Sequence, residues 1–121
     1  MQSIPKRLSN FSKNEVSQLF KTATRGFKNG NLDILLVRKK YSMGRILAII
    51  PARIAPAHLR NTIRRRLKAI FYEEKLFNLG FDFIVIMKTK GLHLSFTQLK
   101  ELILHGIQHA INAIKEPKIP S

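Results

Sequence analysis

The sequence predicts a single mixed α/β domain with elements in the order α-β-β-α-β-α, and three observations support this fold class. The chain has 121 residues, of which 45% are hydrophobic, and this is enough to bury one core. Three segments repeat apolar residues at helical spacing, while three others are short β-branched and aliphatic runs typical of strands. The absence of cysteine excludes a disulfide framework, a thiolate zinc site and a cysteine nucleophile.

The first half of the chain predicts one helix followed by two strands. Ser12-Lys-Asn-Glu15 is a capping box, and we expect the helix that it opens to end near Thr24. Residues 32–37 and 46–50 have the composition and length of strands. Because a polar turn separates these two runs, we expect them to pair antiparallel.

The second half predicts a long helix, a buried strand and a final helix. Residues 56–77 carry an apolar stripe, and Pro56 suits the first turn of this helix. Residues 81–87 are a nearly continuous apolar run, and a second capping box, Ser95-Phe-Thr-Gln98, opens a helix through about Ile114. Residues 1–121 therefore form one domain, in which we expect residues 1–10 and 116–121 to be flexible.

The charge is strongly basic and unevenly distributed. The 22 lysines and arginines outnumber the 7 acids, which gives a formal net charge of +15. The first 72 residues hold 16 of the basic residues and only two acids, Glu15 and Asp33. Such self-repulsion favours an anionic partner, and polyphosphate is the first candidate because binding releases its counterions. A solvated basic surface and an anionic membrane surface are the alternatives.

The segment RNTIRRRLK, residues 60–68, has five basic residues among nine and no acid. At about 100° per residue, one sector of the helix collects five candidate binding residues beside the apolar stripe. Arginine predominates there, and its planar fork binds phosphate bidentately. Since the apolar stripe is needed for the core and no lipidation signal is present, nucleic acid is favoured over a membrane. The candidates are Arg60, Asn61, Arg64, Arg65 and Lys68.

The sequence predicts no catalytic residue and no metal site in the protein itself. The acids are scattered without a paired motif that would hold Mg²⁺. His105 and His109 have a spacing that can bind zinc, but without a third ligand motif we interpret them as ordinary surface residues. The apolar runs are too short to cross a bilayer and the first residues do not resemble a secretory signal, so we expect a cytoplasmic protein.

Several motifs, in order, resemble the bacterial ribonuclease P protein family. RNTIRRRLK is similar to the family pattern R-N-x-x-K-R-x-x-R. The early PKRL, the helix containing Leu19-Phe20 and the strand GRILAII match the segments that precede that pattern. FDFIVIMK resembles the family strand D-[YF]-V-V-I-x-R, and LSFTQL resembles the start of its last helix. Thr62 and Lys68 depart from the residues that are usual at those positions.

The resemblance implies an α/β two-layer sandwich with a left-handed β-α-β crossover, a ribosomal-protein-S5-domain-2-like fold. It also implies that the basic helix binds the catalytic RNA of ribonuclease P, whose Mg²⁺ ions carry out hydrolysis. A cleft that includes Phe20, Lys13 and Arg53 would hold the 5′ leader of precursor tRNA. From spacing alone, Phe20 fits core packing beside Leu19 equally well. No membrane and no obligatory protein partner are expected, and the alternative is another basic protein of a ribonucleoprotein, such as a ribosomal one.

Overall fold

The computed structural model describes residues 11–38 and 42–115. The PKRL motif and the two expected flexible ends lie outside these residues, as do residues 39–41 of the predicted turn. Short 3₁₀ turns at Leu76–Asn78 and Thr89–Gly91 flank the last strand. In chain order the main elements are α1 (Lys13–Thr22), β1 (Thr24–Lys28), β2 (Leu32–Arg38), β3 (Ile46–Ile49), α2 (Ala57–Glu73), β4 (Phe81–Met87) and α3 (Phe96–Lys115).

The strands form one sheet in the order β1-β2-β4-β3. The predicted antiparallel pairing of residues 32–37 with 46–50 is wrong, because β4 lies between these two strands. β4 pairs antiparallel with β2 and parallel with β3, so β3-α2-β4 is a crossover connection. The apolar run of β4 explains its position, since a central strand is buried on both faces.

β1 adds one strand to the predicted order. The capping box and the apolar spacing predict a helix to near Thr24, whereas α1 ends at Thr22 and β1 follows, paired antiparallel with β2. The segment TRGFK lacks apolar alternation, and its register shifts between Arg25 and Phe27, around Gly26. A β-bulge of this kind removes the sequence pattern by which a strand is recognised. The remaining elements follow the predicted order.

The two faces of the sheet are covered unequally. One face packs against α2 and α3 and forms the main core, which includes Leu32, Ile34, Leu36, Phe83, Val85 and Met87. The opposite face carries α1, whose Leu19 packs with Val37 and Ile84. Six apolar residues around this small cluster are half-buried, and we call the four that belong to strands the open face: Leu35, Leu47, Ile49 and Ile86.

Both predicted capping boxes are present. Ser12 Oγ accepts from the Glu15 backbone N–H while Glu15 Oε1 accepts from the Ser12 N–H, and Ser95 and Gln98 repeat this exchange at α3. α2 ends at Glu73, earlier than predicted, because Lys75 adopts a left-handed conformation with φ 52°. Within the described ranges, no helix combines the length and the apolar character that a bilayer span requires.

A close backbone approach beside the sheet predicts a sharp difference between two glycines. A Cβ on Gly44 would collide with the Phe81 carbonyl oxygen, whereas on Gly30 it would meet only Lys90 Cδ at 3.6 Å. We expect Gly44→Ala to lower the free energy of unfolding by about 1–3 kcal/mol, the usual cost of overpacking. Gly30→Ala should change it by less than about 0.5 kcal/mol. Urea denaturation of both variants tests this, and equal effects would contradict the packing at Gly44.

Candidate nucleic-acid interface

α2 separates its apolar and basic residues onto two sides. Its buried residues are Ile63, Leu67, Ile70 and Phe71, all of which belong to the main core. The five candidate binding residues lie on the other side, with Asn61 and Arg65 exposed and the other three half-buried. The structure therefore places all five on one helix surface, as predicted. We call Arg60, Asn61, Arg64, Arg65 and Lys68 the basic face.

The arginines of the basic face bond to neutral groups. Arg60 Nε donates to the Ala55 carbonyl at 3.2 Å, and Arg64 Nη1 donates to Asn61 Oδ1 at 3.1 Å. In the part of the chain that the structure describes, no carboxylate forms an ion pair with any residue of the basic face. Its positive charge is therefore not neutralised by the carboxylates of residues 11–38 and 42–115. The electrostatic field of the basic face attracts an anion. The N-terminus of α2, which begins after Pro56, adds its partial positive charge nearby.

Phe20 lies on the surface of α1. Leu19 is 4% exposed and Phe20 is 44% exposed, so Leu19 packs in the core and Phe20 does not. Glu15 and Thr22 line a small cavity together with Val37. At 100° per residue, Phe20 lies on the opposite side of α1 from those two residues, and so away from that cavity. The alternative that Phe20 is a core residue is wrong.

Lys13 and Arg53 are both exposed, Lys13 at the start of α1 and Arg53 in the segment after β3. Lys13 precedes Phe20 by seven residues, which places both on the same side of α1. Arg53 follows β3 and lines a cavity of about 320 Å³ whose walls also include Ile86 and Lys88. The structure therefore places Arg53 beside Ile86 of the open face and the other two residues on α1, without bringing the three together in a compact site.

A buried charge cluster under α1 was not predicted. Asp82, at the start of β4, is 1% exposed, and Arg45 is 6% exposed. Asp82 Oδ1 accepts the Arg45 backbone N–H at 2.8 Å, and Arg45 Nη1 lies 2.7 Å from Glu15 Oε2. The guanidinium also lies 4.2 Å from the centroid of the Phe11 ring. The only hint in the sequence is Asp82 itself, an acid inside an apolar run.

The two carboxyl groups of this cluster have pKa values shifted in opposite directions. Hydrogen bonds from Arg45 and from the Ser12 backbone hold the pKa of Glu15 below its ordinary value of 4.5. Burial raises the pKa of Asp82, and the bonds from Arg45 only partly oppose this effect. The difference follows from exposure, since the Glu15 side chain stays 27% exposed and that of Asp82 only 1%.

The histidines singled out by the sequence lie on the surface. His105 and His109 are exposed, and each ring centroid lies 5.7 Å from that of Phe27. Among residues 11–38 and 42–115, no three histidine, aspartate or glutamate side chains come close enough to hold a metal ion.

Comparisons with known proteins agree with this architecture. The structures of the RNase P protein from Staphylococcus aureus and from Thermotoga maritima both superpose with a TM-score of 0.69, at 18% and 20% identity. They cover 89% and 80% of this chain, and 95% and 92% of their own chains. The chain thus shares the α+β fold of these small proteins, which in this chain has a helix crossing between the parallel strands β3 and β4.

Sequence comparison identifies the family within this class. The family model described as Ribonuclease P matches residues 5–111. The ribonuclease P protein component of Mycoplasma mobile is 31% identical over 85 residues, which cover 70% of this chain and 76% of that protein. The chain belongs to the ribonuclease P protein family, the protein components of the ribonucleoprotein that processes tRNA 5′ ends.

The Glu15–Arg45 pair predicts how stability depends on pH. Because the folded-state pKa of Glu15 is lowered, the carboxylate stays ionised in the folded protein when the unfolded chain has begun to take up a proton. Its contribution is complete above the unfolded value of about 4.5 and is lost as the pH falls through the lower folded-state pKa. We expect wild type to exceed Glu15→Gln in free energy of unfolding by a constant amount near pH 7 and by less below pH 4.5. Urea denaturation across this range tests it, and a difference independent of pH would contradict the assignment.

Proposed function

We propose that this chain binds the catalytic RNA of ribonuclease P through the basic face of α2 and the 5′ leader of precursor tRNA along the open face of the sheet. The observation that carries the proposal is the basic face itself, whose charges no carboxylate of the described residues neutralises. Family membership supports the identity of the RNA partner. The two proposed surfaces lie on opposite sides of the sheet, so both RNAs could be bound at once.

The chemistry of the basic face suits a folded RNA. Each phosphate that a side chain neutralises releases counterions, which drives binding without reading the sequence. Arg64 and Arg65 present guanidinium groups whose forks match phosphate oxygens. Because α2 is embedded in the core on its other side, the backbone that carries these groups is already ordered, and binding has to order only their side chains.

The open face suits a single strand of variable sequence. Its half-buried aliphatic residues form an apolar floor, and Phe20 offers a ring on which a base can stack. Lys13 and Arg53 place positive charge near the two ends of this floor, where a phosphate backbone would enter and leave. Stacking accepts any base, which agrees with a leader that differs among precursor tRNAs.

We assign hydrolysis to Mg²⁺ ions held by the RNA. Six of the acids lie in the described residues, and four of them form ion pairs with arginine or lysine: Glu15, Asp33, Glu74 and Asp82. A carboxylate in such a pair is a poor magnesium ligand because the cation would have to displace its partner. The role of this chain would be to neutralise the RNA and hold the substrate.

Reconstitution tests the proposed function directly. We expect the protein to stimulate leader cleavage by a ribonuclease P RNA at low Mg²⁺, and the particle to bind precursor tRNA more tightly than mature tRNA. Equal affinities would argue for another basic protein of a ribonucleoprotein, such as a ribosomal one. Cleavage by the protein alone would overturn the assignment of catalysis to RNA. Binding to anionic vesicles that RNA cannot abolish would favour a membrane surface.

Replacing the two central arginines should weaken binding to the RNA subunit. Arg64→Ala/Arg65→Ala removes two phosphate-binding groups, so the slope of log K against log salt should become shallower by about 0.9 or less for each phosphate that is no longer neutralised. The control Arg64→Lys/Arg65→Lys keeps the charge, and we expect it to keep the slope while losing affinity with the bidentate geometry. Filter binding over a series of salt concentrations measures both. An unchanged slope in the alanine variant would mean that these residues do not bind phosphate.

Phe20→Ala should reduce leader recognition specifically. The loss of one stacked base costs roughly 1–3 kcal/mol, which corresponds to a fall of about fivefold to a hundredfold in the preference for precursor over mature tRNA. The matched control is Leu79→Ala, since Leu79 is 42% exposed, close to the 44% of Phe20, but lies just before β4. If both variants reduced the preference equally, or neither did, Phe20 would not bind the leader.

A further inference from the structure

Arg45 joins three elements beneath α1. It lies just before β3, where its backbone N–H donates to Asp82 Oδ1 of β4 at 2.8 Å. Its Nη1 reaches Glu15 Oε2 in the first turn of α1 at 2.7 Å, and its Nη2 lies 3.5 Å from Asp82 Oδ2. With its side chain only 7% exposed, Arg45 is held inside the domain. This cation therefore connects the start of α1 to the two strands below it.

α1 has few other attachments to the sheet. It spans 10 residues, too short to be stable in isolation, and Leu19 is its only buried residue. Leu19 packs with Val37 and Ile84 near the end of the sheet where Arg45 also lies. Phe11 before the helix and Ala23 after it pack half-buried against the same cluster, but a single buried side chain within the helix still allows it to tilt. A second fixed point, the Glu15–Arg45 pair, removes that freedom.

We propose that Arg45 is a positioning residue for leader recognition, which anchors α1 through Glu15 so that Phe20 is held at the margin of the open face. The proposal rests on the proposed function of that face. Arg45 itself is not expected to touch RNA, because its side chain is buried and Nη1 and Nη2 already face carboxylates. Its effect on substrate passes through the orientation of α1. Phe20 lies on the side of α1 that faces away from Arg45. If the Glu15–Arg45 pair were lost, a rotation of α1 would therefore change the position of the Phe20 ring over the sheet.

Glu15→Gln is the most specific way to break the anchor. Glu15 uses Oε1 to accept from the Ser12 N–H and Oε2 to pair with Arg45. Glutamine has one acceptor oxygen and cannot serve both partners, although it still supports a capping box. Arg45 keeps Asp82 as a partner, so no buried charge is left alone. The substitution therefore loosens α1 without opening the core.

The matched control is Glu74→Gln. Glu74 pairs with Lys100 at 2.7 Å, the same distance as the Glu15–Arg45 pair, and joins the end of α2 to α3 on the other side of the sheet. It removes one carboxylate charge as Glu15→Gln does. A loss of general stability would affect both variants, whereas a loss of α1 positioning affects only Glu15→Gln.

The experiment measures the affinity of the assembled particle for precursor and mature tRNA and the affinity of the protein for ribonuclease P RNA. We expect Glu15→Gln to lower the precursor-to-mature ratio by about three- to tenfold, the range of a typical net hydrogen bond, because the Glu15 side chain is partly exposed and Arg45 keeps Asp82 as a partner. Its affinity for the RNA subunit should stay within about twofold of wild type, and Glu74→Gln should keep the full ratio. An unchanged ratio in Glu15→Gln, or an equal fall in both variants, overturns the proposal.

A double-mutant cycle tests whether the effect passes through Phe20. If it does, Glu15→Gln should add little to the effect of Phe20→Ala, because the ring that it positions is gone. Additive effects would mean that Glu15 and Arg45 act on the leader by another route and would overturn the proposal. Failure of the proposed function looks different, since wild type itself would then bind precursor and mature tRNA equally.

Discussion

The central constraint in this domain is that a four-stranded apolar sheet has two faces, and the three helices cover them unequally. α2 and α3 close one face completely, with Phe71 and Phe83 fully buried between the layers. Within residues 11–38 and 42–115, the opposite face carries α1 alone, whose single buried residue cannot cover it. Four aliphatic residues of the sheet therefore stay half-buried. A surface of this kind is unusual for an isolated domain unless something binds there.

The same constraint places the basic face. Because α2 turns its apolar stripe inward, its polar sector must face outward, away from the sheet. Four of the six described acids form ion pairs elsewhere: Glu15 and Asp82 with Arg45, Asp33 with Lys88, and Glu74 with Lys100. The domain thus uses these carboxylates for internal structure and leaves the arginines of α2 for an external anion.

Sequence reasoning succeeded where the determining interactions are local. The two capping boxes fix the starts of α1 and α3 within four residues, and the apolar stripe of α2 identifies both its core side and its basic face. The family motifs added the two-layer architecture. Predictions from the sequence failed where the contacts join residues that are distant in the chain. The pairing of the strands depends on where β4 is inserted in the sheet, between β2 and β3. The contact between Arg45 and Asp82 joins residues that are 37 positions apart. β1 was not predicted, because its bulge removes the alternation of apolar and polar residues on which strand prediction depends.

The central claim, that α2 faces the ribozyme while α1 faces the leader, can be tested with tethered probes. The chain has no cysteine, so a single introduced thiol labels uniquely. The probe is an iron chelate that generates hydroxyl radicals, attached to an introduced cysteine. His58→Cys places it at an exposed position beside the basic face, and Ser17→Cys places it at an exposed position on α1. In the assembled particle with precursor tRNA, we predict that the His58 probe cuts the ribonuclease P RNA and the Ser17 probe cuts the leader. The account would be contradicted if the leader were cut by the His58 probe and not by the Ser17 probe. It would also be contradicted if the ribonuclease P RNA were cut by the Ser17 probe and not by the His58 probe.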